Sequence, residues 1–99
     1  MAKREIIWRK KAQVDFFKII EFISSDSPEN AISVYNRVTG MILLLPEFPE
    51  MYKADELKTK NDGSFRVFVN DGIRISYQIT PELIRIIRVK HTSQEPLEY

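Results

Sequence analysis

The sequence predicts an α+β domain: an N-terminal strand, an antiparallel helix hairpin, then a twisted antiparallel sheet, in the order β-α-α-β-β-β. Three observations carry this. Apolar residues recur at helical spacing over two stretches of the first half. The second half changes to period-two alternation broken by turn signals at Asp71-Gly72 and Pro81-Glu82. Ninety-nine residues, 43% of them hydrophobic, suffice for one core and not two, so residues 1–99 are expected to form a single domain.

Ile6, Ile7 and Trp8 are β-branched or aromatic and suit a short strand. From Lys10 to about Ser24 no proline or glycine intervenes, and Ala12, Phe16, Ile19, Ile20 and Ile23 form a helical stripe. The run Ser24-Ser25-Asp26-Ser27-Pro28 then stops one helix and starts another. Ser27 is positioned to accept a bond from a free backbone N–H, and Pro28 occupies the first helical position, where its missing donor costs nothing. Ala31, Val34, Tyr35, Val38, Met41, Ile42 and Leu45 give the second helix its apolar face, and Pro46 and Pro49 end it. A short connection between two such helices implies an antiparallel hairpin presenting one face to a core. Residues 49–63 are polar and carry Lys53, Lys58 and Lys60, which reads as a loop.

Phe65–Val69 and Ile73–Thr80 alternate on either side of Asn70-Asp71-Gly72. A two-residue turn would set Val69 against Arg74 and mix apolar with charged residues. A three-residue loop sorts the faces, placing Val69 against Ile73, Val67 against Ile75 and Phe65 against Tyr77, with Gly72 in the left-handed position. The three-residue loop is the expectation, and it leaves Arg66, Arg74, Ser76 and Gln78 together on the opposite face. Pro81-Glu82 turns the chain into a last strand from Leu83 to about Lys90. Its apolar residues fall on both faces, which suggests a central strand covered on both sides. Depending on the length of that turn, Arg74 meets either His91 or the pair Arg88 and Lys90.

Several chemistries are excluded or disfavoured. With no cysteine and one histidine, neither a disulfide nor a dedicated zinc site is expected. The sequence has no glycine-rich phosphate loop, no nucleophile elbow and no local pair of carboxylates, and no cofactor is expected. The N-terminal MAKREIIWRKKAQ lacks the apolar segment of a secretory signal, and Met41–Leu45 is far too short to cross a bilayer. A soluble, cytoplasmic protein is the expectation. A net charge of +1 implies no whole-molecule field for nucleic acid, so any basic site must come from local clustering.

One such cluster stands out: Arg66, Arg74, Arg88, Lys90 and His91 on adjacent strands, with Tyr99 in the tail. Guanidinium groups bind phosphate through paired hydrogen bonds, and histidine moves protons near neutral pH. The set could cradle a scissile phosphate, could grip an acidic protein surface, or could be a solvated face whose charges guard strand edges.

The order of segments resembles the RelE/ParE superfamily of toxins from type II toxin–antitoxin (plasmid stabilisation) systems. Trp8, Ala12, Asp15, Ile19, Ile20, Phe22 and Ile23 followed by SPENA look like the opening helix hairpin of that family. LLLPEFPEM is similar to its proline-ended helix exit, ELKTKNDGSFRVFVNDGIRISYQI to its central strands, and IIRVKHTSQEPLEY to its last strand and short tail. The likeness spans nearly the whole chain, and its weight lies in the ordered set. It implies a toxin neutralised by a small cognate antitoxin, whose extended or helical segments wrap the toxin. Two mechanisms divide the family. RelE-like members cleave mRNA on the ribosome with arginine, lysine, histidine or tyrosine side chains, whereas ParE-like members trap DNA gyrase on broken DNA and catalyse nothing themselves.

On the RelE-like reading, Arg74 falls where nuclease members grip phosphate, His91 where some carry an acid or base, and Arg66 at a frequently basic position. Arg88, Lys90 and Tyr99 are candidate phosphate or target contacts. The sequence departs from the nuclease pattern at Thr92, which follows His91 where certain members carry a terminal tyrosine; Tyr99 lies seven positions further on. The modest charge and the SPENA connection favour the ParE-like reading, and a non-toxic relic that only binds antitoxin is a further alternative. For the antitoxin, the expectation is a groove around the helix hairpin and sheet edge, with Phe17 or Phe22 as a docking point.

Overall fold

A computed structural model describes residues 3–99 and runs β1 (Glu5–Trp8), α1 (Lys10–Asp26), α2 (Pro28–Leu43), β2 (Phe65–Asn70), β3 (Ile73–Ile79), β4 (Leu83–His91). The predicted element order is observed. The strands form one sheet in the order β1-β4-β3-β2. β2, β3 and β4 are an antiparallel meander, and β1 joins its far side parallel to β4, pairing Glu5–Trp8 with Leu83–Ile86.

The helix hairpin forms as its punctuation dictates. Ser27 Oγ accepts from the N–H of Asn30 at 3.2 Å, and Pro28 opens α2. α1 runs to Asp26, slightly past the expected stop, and Ser27 N–H closes its last turn on the Ile23 carbonyl. α2 ends at Leu43; the chain continues in turns, and Leu45 still reaches the core. Phe16 stacks between Trp8 and Tyr35, with ring centroids 5.5 and 5.8 Å apart, which ties α1 to β1 and α2. Val34, Val38 and Ile42 of α2 pack on Phe68, Ile73, Ile75, Tyr77, Ile84, Ile86 and Val89 of the sheet, all buried. At roughly 2 kcal/mol per fully buried large aliphatic side chain, this layer is the principal source of cohesion.

The first hairpin corrects the expected register. The connection has two residues, Asp71 and Gly72, at φ of 53° and 75°, so Asn70 faces Ile73, Val69 faces Arg74 and Phe68 faces Ile75. Two positive φ values mark the turn whose twist matches that of paired strands, and Asp-Gly is a favoured dipeptide for it. Sorting of apolar from charged faces does not set this register, because both faces of the sheet are covered. The helices cover Phe68, Ile73, Ile75 and Tyr77, while Val67 is also buried, outside that cluster. Val69, assigned to the core by the other register, is 49% exposed. Arg66 therefore parts from Arg74, Ser76 and Gln78 and lies on the helix side of the sheet.

The mixed pattern of β4 has a separate cause. Its turn is two residues long, with Thr80 N–H donating to Leu83 O at 2.9 Å. Pairing then slips: Tyr77 faces Ile86 but Ser76 faces Arg88, which leaves Ile87 as an extra residue. A bulge of this kind reverses the alternation. Ile84 and Ile86 face the helices before it, and Val89 faces them after it. Arg74 consequently lies opposite Lys90, and His91 opposite Ile73.

Candidate functional site

Asp55, in the loop after α2, organises the outer face of the sheet. The loop runs along the free edge of β2, with Val67 N–H donating to Lys53 O at 3.0 Å and Asp55 N–H to Phe65 O at 2.9 Å. That path drives the Asp55 carboxylate beneath the surface, where it is 1% exposed. Tyr99 OH donates to Oδ2 at 2.7 Å, Arg74 to Oδ1 at 2.6 Å and the Leu57 N–H to Oδ1 at 3.0 Å. Burial pushes the carboxyl pKa up, but donation by Tyr99, Ser76, Leu57 and Arg74 outweighs it and holds the group below its ordinary value. Tyr99 is moved the opposite way, up, by burial and by its bond to the carboxylate.

The tail folds back to make this contact. Tyr99 N–H donates to Leu57 O at 2.9 Å, and Thr59 N–H to Tyr99 O at 2.7 Å. Arg88 donates to Leu97 O at 2.8 Å and lies over the Tyr99 ring, 4.3 Å from its centroid. Arg74 also approaches Glu56 at 3.4 Å. Arg74, Arg88 and Tyr99 are thus brought together, each already engaged.

The other candidates lie elsewhere. Arg66 donates to Gly63 O at 2.9 Å and to Tyr52 O at 3.1 Å, pinning the loop at the opposite end of the sheet. His91 turns to the α1 side and lines a concavity of about 450 Å³ with Lys11, Lys18, Phe22 and Lys90. Its Nδ1 accepts from Ser93 N–H at 3.1 Å and meets Ser93 Oγ at 2.7 Å, so the neutral ring carries its proton on Nε2. Arg66, Arg74 and His91 do not converge on a common point. Asp55 was missed by sequence reasoning, since a lone acid in a polar loop carries no local signal of burial. Arg37 was missed likewise: it holds both oxygens of Asp71, at 2.8 and 2.9 Å, and so fastens the β2–β3 turn to α2.

Comparison with known proteins adds the family. The model of the ParE toxin of type II toxin–antitoxin systems, parDE, matches residues 6–96. The chain belongs to the ParE toxin family. A solved structure described as the chromosomal ParDE TA system from P. aeruginosa has the same fold, with a TM-score of 0.68 at 14% identity. The match covers 90% of this chain and 96% of that one. No curated protein matches the sequence significantly.

In this ParE-family chain the surface of the hairpin is notably apolar. Phe17 is 50% and Phe22 78% exposed. Among the described residues, no group of three or more His, Cys, Asp or Glu side chains is placed to hold a metal ion, and no helix is long and apolar enough to cross a membrane.

Proposed function

We propose that this ParE-family toxin inhibits DNA gyrase by binding it, without a catalytic step of its own, and is neutralised by a cognate antitoxin. Family membership supports the reading, together with one geometric observation. The three side chains that a nuclease would bring around a scissile phosphate are engaged separately. Arg66 is bound to two loop carbonyls, Arg74 is neutralised by Asp55, and His91 faces α1. Stabilising a phosphorane-like charge needs donors preorganised around one point. Tyr99 also fits poorly as a general acid, because its proton is held more tightly than usual by burial and by Asp55. The net charge of +1 provides little of the field that ribosome-bound RNA would reward.

The antitoxin is the partner of the hairpin surface, where Phe17 and Phe22 offer apolar anchors to an amphipathic segment. Gyrase as target places the toxin in the cytoplasm. Purified gyrase, relaxed plasmid and the toxin test the reading: supercoiling stops and cleaved plasmid accumulates. Undisturbed supercoiling, with message cut on programmed ribosomes, would select the nuclease mechanism instead.

A further inference from the structure

The sheet treats its two ends differently. At one end β2 is covered: Val67 N–H donates to Lys53 O at 3.0 Å and Asp55 N–H to Phe65 O at 2.9 Å, so the 53–55 loop takes up outward backbone groups. At the other end β1 pairs with β4 alone, and among the described residues no strand lies on its far side. Glu5 N–H donates to Glu82 O and Arg9 N–H to Ile86 O, both at 3.0 Å. In a parallel pair such bonds recur at every second residue, so Glu5, Ile7 and Arg9 turn their backbone groups to β4. The N–H and C=O of Ile6 and Trp8 therefore point outward. Bare groups of this kind are a template for a further strand.

The two faces beside this edge differ in chemistry. On the helix side a groove of about 390 Å³ runs between the edge and α2, lined by Ile6, Trp8, Tyr35, Thr39, Ile42 and Leu43, with no charged side chain. Ile32, Tyr35, Thr39 and Leu43 follow one another at helical spacing and share one stripe of α2. Ile32 is 62% and Leu43 69% exposed. On the opposite face Ile7, also exposed, stands between Glu5 and Arg9, since alternate residues of a strand share a face. Arg9 keeps an extended backbone before α1 begins, so it can still pair as part of the strand. Among the described residues, neither Glu5 nor Arg9 has an oppositely charged group within 4 Å.

We infer that the outer edge of β1, flanked by the stripe of α2, is a homodimer interface. Two copies of this chain pair antiparallel about a two-fold axis at Ile7 and join their four-stranded sheets into one. The register follows from the groups themselves. In an antiparallel ladder, residues whose backbone points outward exchange bonds in pairs, which sets Ile6 against Trp8 of the second copy and Trp8 against its Ile6. Ile7 then meets its own equivalent, and Glu5 lies opposite Arg9 at both ends of the ladder. The alternative, Ile6 on Ile6, sets Glu5 against Ile7 and Arg9 against Lys3, a like-charge pair. The next cations outward leave the ladder: Lys10 has entered α1, and Arg4 is turned onto Thr80 O at 2.6 Å. On the helix side the two α2 stripes approach each other, bringing Tyr35 and Leu43 of both copies over Ile6 and Trp8. A nucleic acid fits less well, because the groove holds no cation and phosphodiester oxygens cannot donate to the Ile6 and Trp8 carbonyls. The inference goes beyond gyrase inhibition and holds whichever target the toxin has.

Sedimentation velocity of the purified full chain, from micromolar to millimolar concentration, tests this. The chain should pass from monomer to dimer as concentration rises, and hydrogen exchange at the Ile6 and Trp8 amides should slow in step. Glu5→Lys and Arg9→Glu each set like charges opposite one another twice per dimer. Each should weaken dimerisation about tenfold or more, with circular dichroism unchanged. Mixing the two single variants restores both facing pairs, so the mixture should dimerise nearly as tightly as the unaltered chain, and so should the double variant with itself. A chain that stays monomeric at millimolar concentration overturns the inference. So does a dimer whose Ile6 and Trp8 amides exchange as fast as in the monomer, a pair of single variants that dimerise undiminished, or a mixture of them that stays monomeric.

Discussion

Asp55 is stable as a buried anion only while its donors stay in place. Removing the carboxylate strands Arg74, Tyr99 and Ser76 together, so Asp55→Ala should cost about 3 kcal/mol or more in urea unfolding. Tyr99→Phe removes one donor and should cost about 1–2 kcal/mol while freeing the tail, seen as faster amide exchange at Thr59. The pH dependence follows from the same shifts. The Asp55 carboxyl is held below its ordinary value by Tyr99, Ser76, Leu57 and Arg74 against the upward push of burial, and Asp71 is lowered chiefly by its bond from Arg37. Such groups contribute stability that is complete above the unfolded carboxyl pKa, near about 4, and lost as pH falls through the lower folded value. At the alkaline end burial raises Tyr99 and pushes Tyr77 up to about 12. Both residues are neutral in folded and unfolded chains below about pH 10, so stability should decline as pH climbs above that. Melting temperatures across pH check both limbs, and Tyr99→Phe should shallow the alkaline one.

Among the elements, the β2–β3 turn is the most exacting. Gly72 sits at φ 75°, and a Cβ there would lie 3.3 Å from His91 Nε2. Gly72→Ala should destabilise by about 1–2 kcal/mol, and Gly72→Asn by less, since asparagine tolerates the left-handed region better. Equal melting temperatures for the two variants would contradict this. That turn also marks where sequence reading stopped. The helix hairpin was legible because Ser27, Pro28 and the stripe from Ala31 to Ile42 act locally. The strands were legible as strands, but their register was not. Choosing it by faces assumes one covered face, whereas the 53–55 loop and the folded tail cover the other. The bulge at Ile87 has no local signature either, and it alone sets Lys90 rather than Val89 opposite Arg74. Site geometry inherits both errors. Arg66 and Arg74 were placed on one face by the three-residue loop and are separated by the two-residue turn.

At the scale of the whole molecule, charge and apolar surface are unevenly spread. The cationic groove lies along α1 and β4, the neutralised Arg74 on the outer face, and exposed Phe17 and Phe22 along α1. A surface so divided is suited to protein partners rather than to chemistry at one point, which is why binding to gyrase is favoured over cleavage of RNA. The most direct test is gyrase supercoiling with purified toxin, alongside the Arg74→Ala and His91→Ala variants on programmed ribosomes. The account predicts that the unaltered toxin blocks supercoiling and leaves plasmid cleaved, with message intact. Full supercoiling in the presence of the toxin, together with message cleavage that either variant abolishes, would contradict it.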